Sequence, residues 1–321
     1  MTESAHPRES LAPNPLPLDS TAQLLTRIGA QLGAQLSHVQ LNGVRRPMSS
    51  PSPSSAAAGT PFPVRAASGH PGAASAPALV AVAHGSRDPR SLRTVTRLLD
   101  RVRELRPGAD VRLGHIELDE PLLPDTLAGL GDREAVLVPL LLGRGFHVKH
   151  DIPAAVAAAP LARARIAPPL GPHPLLVEAL HDRLVEAGWQ GSEEEGRGAG
   201  VVLAAAGSRD PASAADARRT AAMLTERLGG VPVLPAYASA LSPTVPEALR
   251  ALAARGRHRV AVASYFTAPG RFATASRSAA PWIAAAPMGA HPALARLVLQ
   301  RYDEARNAEC AAAGPRLLVS A

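Results

Sequence analysis

From Leu79 onward the chain alternates two hydrophobic patterns. Short unbroken apolar runs, such as Leu79–Ala83 and Ala135–Leu142, are followed by stretches in which apolar residues recur every three or four positions. After the first run, Leu92, Val95, Leu98, Leu99, Val102 and Leu105 fall on one face of a helix. Asp88 and Pro89 open that helix. An Asp at the N-cap accepts a first-turn amide, and a Pro at N1 has no amide to leave unpaired. Strands apolar at every position have no solvent face, so they predict a parallel sheet covered by helices on both sides.

The pattern occurs twice. Gly85–Pro89 reads GSRDP, and Gly207–Pro211 reads GSRDP again, 122 residues further on. Each copy follows an apolar run, Leu79–Ala83 or Val201–Ala205. At the same spacing, Glu117-Leu118-Asp119-Glu120-Pro121 lies opposite Ser239-Ala240-Leu241-Ser242-Pro243. Ala135–Leu142 then matches Val260–Phe266, and Pro169–Pro174 matches Pro287–Pro292 at a spacing shortened to 118. A repeat of this length implies two copies of one unit, each predicted as β-α-β-α-β-α-β-α. The expected fold is α/β: two tandem parallel-sheet units, with ligands bound at the carboxyl ends of the strands. The expected boundaries are an active half at 77–189, a linker at 190–199 (QGSEEEGRG lies within it) and a degenerate half at 200–321.

Residues 1–76 read differently. Pro, Ser, Ala and Gly dominate Met1–Pro17 and Met48–Pro77, which predicts a disordered leader. Between them, Ala22–Leu41 carries Leu24, Leu25, Ile28, Leu32 and Leu36 at near-helical spacing. That predicts a short amphipathic helix, solvated or loosely docked. The start does not read as a secretory signal. No apolar stretch reaches membrane-spanning length. The single cysteine, Cys310, makes no internal disulfide, which fits a reducing cytoplasm. Net charge is +7, yet the arginines are scattered and aromatics make up 3% of the chain. With no long basic run and few stacking residues, a polyanionic small molecule fits this charge better than nucleic acid does.

The copies part at three strand ends. His84 closes the first strand where the second copy has Ala206. Glu117 closes the second strand, opposite Ser239. His147 follows the third strand in Gly143-Arg144-Gly145-Phe146-His147, opposite Phe272. The scaffold motif persists in copy two while all three polar groups are gone. Parallel strands bring their carboxyl ends together, so His84, Glu117 and His147 are predicted to converge. Two imidazoles and a carboxylate suit a divalent ion such as Fe²⁺, Co²⁺, Ni²⁺ or Zn²⁺, and they also accept protons. His115 is read as a buried structural residue. His173 and His291 stand at a helix start in both copies, and their retention argues for a structural role.

Ala83–Pro89, Ile116-Glu117 with Pro121 four positions on, and Leu140–Leu142 with Gly145-Phe146-His147 and Asp151-Ile152-Pro153 resemble the sirohydrochlorin chelatase family. These are the class II chelatases of siroheme and cobalamin synthesis. The likeness runs from about Leu79 to the C-terminus. It implies two parallel α/β lobes enclosing a tetrapyrrole, and a lyase that inserts Fe²⁺ or Co²⁺ into sirohydrochlorin. It places metal binding on His84 and His147 and catalysis on His84 and Glu117. Substrate contact would fall on Glu117, Gly143, Arg144, Gly145, Phe146 and Arg87. No organic cofactor, nucleic acid or membrane partner is expected.

Insertion must release two pyrrole N–H protons and strip water from the metal. Neutral imidazoles can hold an ion and give it up, and a carboxylate can take protons. Sirohydrochlorin is an octacarboxylate, so Arg87, Arg144, Lys149, Arg271 and Arg277 are candidate clamps. The same donor set would serve a non-catalytic metal or tetrapyrrole carrier. A histidine-phosphatase reading of Ala83-His84-Gly85 fails on the missing Arg before the His. No GxxxxGK[ST] loop is present for ATP.

Overall fold

The computed structural model describes residues 76–161, 163–191, 198–239 and 241–312. All of the predicted leader but Ala76 lies outside them, as do the Ala22–Leu41 helix and residues 192–197 of the expected linker. The first half runs β1 (Ala78–Ala83), α1 (Pro89–Leu105), β2 (Val111–His115), α2 (Leu123–Ala128), β3 (Ala135–Pro139), a π-helical turn (His147–Asp151) continuing into α3 (Ile152–Ala158), β4 (Ala164–Ile166) and α4 (Pro174–Glu186). The second half runs β5 (Ala199–Ala205), α5 (Pro211–Arg227), β6 (Val233–Tyr237), α6 (Val245–Ala253), β7 (Arg259–Tyr265), α7 (Arg271–Ser278) and α8 (Pro292–Ala312).

Both sheets are parallel, in the orders β2-β1-β3-β4 and β6-β5-β7. The predicted element order holds in the first half. In the second, the fourth strand shrinks to one bridge between Val262 and Ala284, flanked by hydrogen bonds from Val262 to Ile283 and from Ala285 back to Val262. The stretch from Ile283 to Ala285 still follows β7 in register but is too short to form a ladder.

Side chains alternate across β1. Ala78, Val80 and Val82 face an outer core with Leu123, Leu127 and Ile152. Leu79, Ala81 and Ala83 face a second core that both halves share. A matching outer core in the second half joins Val202, Ala204 and Val245. The shared core exists because the last helix of each half crosses to the other. α4 packs on β7, and α8 packs on β3 and β4. The crossing is reciprocal to the residue. Arg183 on α4 donates to Met288 O at 2.8 Å, while its equivalent on α8, Arg301, donates to Leu170 O at 3.3 Å. The guanidinium groups are paired one turn on, Arg183 with Glu186 and Arg301 with Glu304. Burying each leucine of this core contributes about 2 kcal/mol, so neither half keeps its full apolar cover without the other. Among the described residues, no helix is long and apolar enough to cross a membrane.

Candidate metal-binding active site

The site grows from the ends of β1 and β2. Beyond the last paired residues, Ala83 and His115, two further rungs form: Ile116 N donates to Ala83 O at 2.9 Å, and Glu117 N donates to His84 O at 3.0 Å. They set His84 beside Glu117, with Nδ1 3.6 Å from Oε1. Gly85 makes this approach possible. Its φ is +98°, and a Cβ there would lie 1.6 Å from Glu117 O. Ser86 N donates to the Asp119 carboxylate at 2.9 Å, tying the GSRDP loop to the next turn. That turn is tight: Asp119 N donates to Glu117 O at 2.9 Å around Leu118, whose φ is +69°. A leucine in a γ-turn of this hand is strained, and strain of this kind concentrates at functional sites.

His147 arrives from the loop after β3. Its ring meets that of His84 edge to face, with centroids 4.7 Å apart and planes at 87°. The three side chains picked out by the repeat therefore converge. The π-helical turn brings Asp151, four residues on, to His147, with Oδ2 2.5 Å from Nδ1. A carboxylate can only accept, so in the neutral ring Nδ1 carries the proton and Nε2 keeps its lone pair. Orientation of an imidazole by a carboxylate is the usual support for a metal-binding histidine. Asp151 entered the sequence reading only within the motif Asp151-Ile152-Pro153, with no role of its own; the signal for that role was its i+4 spacing from His147. His84, Glu117, His147 and Asp151 are all between one-third and about one-half exposed, so the cluster opens to solvent. Among the described residues, no three or more His, Cys, Asp or Glu side chains are already spaced to hold an ion. Phe146 is exposed beside this cluster, its ring 4.6 Å from that of His150.

The same frame is empty of donors in the second half. Ser239 N donates to Ala206 O at 3.0 Å, the counterpart of the His84–Glu117 rung. A Cβ on Gly145 would lie 3.5 Å from Ser208 Oγ, and one on Gly270 would lie 3.5 Å from Ser86 Oγ. This reciprocal packing fixes Gly145 opposite Gly270, hence His147 opposite Phe272 and Asp151 opposite Ser276.

The expected cationic clamps divide. Arg87 is exposed and makes no hydrogen bond or ion pair among the described residues, and the same holds for its counterpart Arg209, which sequence reasoning did not single out. Arg144 instead turns to Asp216, and Lys149 to Asp210, both on the second half. Arg277 reaches Ala284 O at 3.3 Å, and Arg271 lies over the Phe272 ring. Of the five, Arg144 and Lys149 are thus taken up by a buried and a capping carboxylate of the second half, while Arg87 stays unpaired among the described residues. Lys149 holds the Asp210 carboxyl below the usual range. In the first half, hydrogen bonds from Arg90 push Asp88 down to about 2.

His115, His173 and His291 occupy the structural places read for them from the sequence. His115 is buried against Pro121 O at 3.2 Å. His173 and His291 are N-cap residues whose Nδ1 accepts the amide of Leu175 at 3.1 Å and of Ala293 at 3.2 Å. Burial pushes both below the ordinary histidine value.

A family model described as CbiX matches residues 78–187 and again residues 200–305, the two halves of the repeat. The chain belongs to the CbiX family. The sirohydrochlorin cobaltochelatase of Methanopyrus kandleri is 31% identical over 137 residues, spanning 34% of this chain and 96% of that protein. That of Methanococcus aeolicus is 35% identical over 79 residues, 24% of this chain and 55% of the relative, so this match spans about half the relative's length. The solved structure of SirB from Bacillus subtilis with Fe³⁺ superposes with a TM-score of 0.59 at 24% identity, covering 73% of this chain and 97% of that one. It shares the fold.

Proposed function

We propose that this CbiX-family chain is a sirohydrochlorin chelatase, inserting Co²⁺ or Fe²⁺ into the tetrapyrrole at one site built on the first half. The observation that carries the reading is the convergence of His84, Glu117 and His147 at strand ends whose counterparts are Ala206, Ser239 and Phe272. The cobaltochelatase relatives supply the reaction class and the substrate.

The residues divide the chemistry between them. His84 and His147 receive the ion through ring nitrogens, two neutral ligands that bind a divalent metal without trapping it. Asp151 holds the His147 ring toward the open face. As the metal enters, the macrocycle gives up two N–H protons. Glu117, exposed and beside His84, takes up the first and passes it to solvent, and then takes the second. Arg87 and Arg209, unpaired on matched loops of the two halves, meet substrate carboxylates from both sides. Phe146 offers an apolar surface to the macrocycle. The reading places residues 77–189 as the active half and 200–321 as the degenerate half, at work in the cytoplasm.

Metal insertion into sirohydrochlorin by full-length protein, followed by absorbance with substrate in excess, tests it. Many turnovers per chain are expected, with Glu117→Gln slower by about 10²-fold, the range of a lost proton acceptor. A single turnover per chain would identify a carrier, and no insertion with either metal would overturn the reading.

A further inference from the structure

The loop that carries His147 is tied to the degenerate half at three points. Asp216 on α5 is buried, and its carboxylate accepts from Arg144 three times: backbone N at 2.9 Å, Nε at 3.1 Å and Nη2 at 2.6 Å. Asp210 Oδ2 lies 2.5 Å from Lys149 Nζ, while its Oδ1 caps α5 by accepting Ala212 N at 2.9 Å. The Tyr265 hydroxyl donates to Leu142 O at 2.8 Å. Burial keeps that phenol protonated by pushing its pKa upward.

None of these ties has a mirror image. Arg144, Lys149 and Tyr265 correspond to Pro269, Thr274 and Leu140. Asp216 corresponds to Thr94, whose hydroxyl bonds back to Arg90 O at 2.7 Å within its own helix. Asp88, the twin of Asp210, is taken up by Arg90 of its own half. Unmirrored ties between the halves also occur elsewhere, as between Arg106 and Asp303, but these three all converge on one loop. These ties serve only the loop that carries the histidine.

Taking His84 and His147 as the metal-binding pair of the proposed function, we infer that Asp216, with Arg144, is a positioning device: the degenerate half sets the place of His147 against His84. The second GSRDP motif is retained because its Asp210 and its helix seat the active loop of the first half. A loop released from Asp216 keeps its histidine but lets the imidazole wander from its partner. Two-ligand metal binding depends steeply on that spacing.

The test uses the full chain with Asp216→Asn, Arg144→Gln and the double variant. Co²⁺ binding is followed by visible absorption, insertion by kcat and KM. Each single variant is expected to weaken Co²⁺ binding and lower kcat by about tenfold, the low end for groups that orient metal ligands. The KM for sirohydrochlorin should stay within about twofold, and the double variant should be no worse than either single one, because the pair acts as a unit. Arg144→Lys, which keeps the charge and loses the fork, should recover part of the loss. If Asp216→Asn does not fold, Arg144→Gln, half exposed on its loop, gives the same readout. Variants that lose thermal stability but keep wild-type Co²⁺ affinity and kcat would overturn the positioning role alone. Absence of both Co²⁺ and Fe²⁺ binding in the unsubstituted protein would overturn the functional reading and this inference with it.

Discussion

The two GSRDP loops have one sequence and two duties. Locally they fold alike: Ser86 Oγ accepts Asp88 N at 3.1 Å and Ser208 Oγ accepts Asp210 N at 3.2 Å, and each Asp then caps its helix at 2.9 Å. What differs is the neighbour. Gly85 lies under the backbone carbonyl of Glu117, whereas Gly207 faces the side-chain hydroxyl of Ser239. Asp88 pairs within its half and Asp210 across to the other. The motif supplies a backbone frame, and the residues at the next strand ends decide whether the frame becomes a reactive site or a seat for one.

The largest way to break this comparison is to exchange the donors. His84→Ala or His147→Ala should lower metal insertion by more than about 100-fold with the fold intact, since each removes one open side chain at a strand end. Ser239→Ala and Phe272→Ala should leave the rate within about twofold. A steady-state insertion assay beside circular dichroism separates the outcomes, and equal losses in both halves would break the asymmetry.

The paired glycines sharpen it. Gly85→Ala drives a methyl to 1.6 Å from a backbone carbonyl, which cannot step aside, whereas Gly207→Ala meets Ser239 Oγ at 2.4 Å, and that hydroxyl can rotate. Both also force Ala to positive φ. Chemical denaturation should show a loss of about 3 kcal/mol or more for Gly85→Ala and about 1–2 kcal/mol for Gly207→Ala. Similar losses would mean that the two loops support their neighbours alike.

Asp151 should matter less than the ligand it orients. Asp151→Asn is expected to weaken Co²⁺ binding about tenfold. Grafting Ala206→His, Ser239→Glu and Phe272→His into the second half should not give a site of equal affinity, because Ser276 stands where Asp151 does and α7 begins without the π-helical turn. A tight second site from those three changes alone would show that orientation is dispensable.

The smallest effect falls where the halves agree. His173→Ala and His291→Ala should each cost about 1 kcal/mol, the worth of an N-cap, with insertion kinetics unchanged near neutral pH. Each cap needs an unprotonated Nδ1, and each folded pKa lies below the unfolded value of about 6.5. The unfolded chain therefore takes up the proton first. The caps give their full stability above about pH 6.5 and lose it as pH falls through that value toward the lowered folded one. Thermal melts from pH 7 to 5 should fall less steeply in the double variant than in the parent.

Much of this was legible in the sequence, because its signals are local. Strand and helix periods, the Asp-Pro caps and the doubled GSRDP gave the two α/β halves and their order. The strand-end contrast gave His84, Glu117 and His147, since a parallel sheet must bring those ends together. The second half's fourth strand was over-read: Ile283–Ala285 is apolar but too short for a ladder. The exchange of α4 and α8 between halves left no local trace. Arg144 and Lys149 read as substrate clamps because their partner Asp216 lies 72 residues away and Asp210 was already accounted for as a cap. Charge alone does not say which acid a cation will meet.

A Co²⁺ titration of the full chain, followed by visible absorption, tests the central claim most directly. One working half and one seating half predict a single site per chain, absent in His84→Ala and in His147→Ala and unaltered in Ser239→Ala. Two equivalent sites per chain, or one site that survives the loss of either histidine, would contradict it.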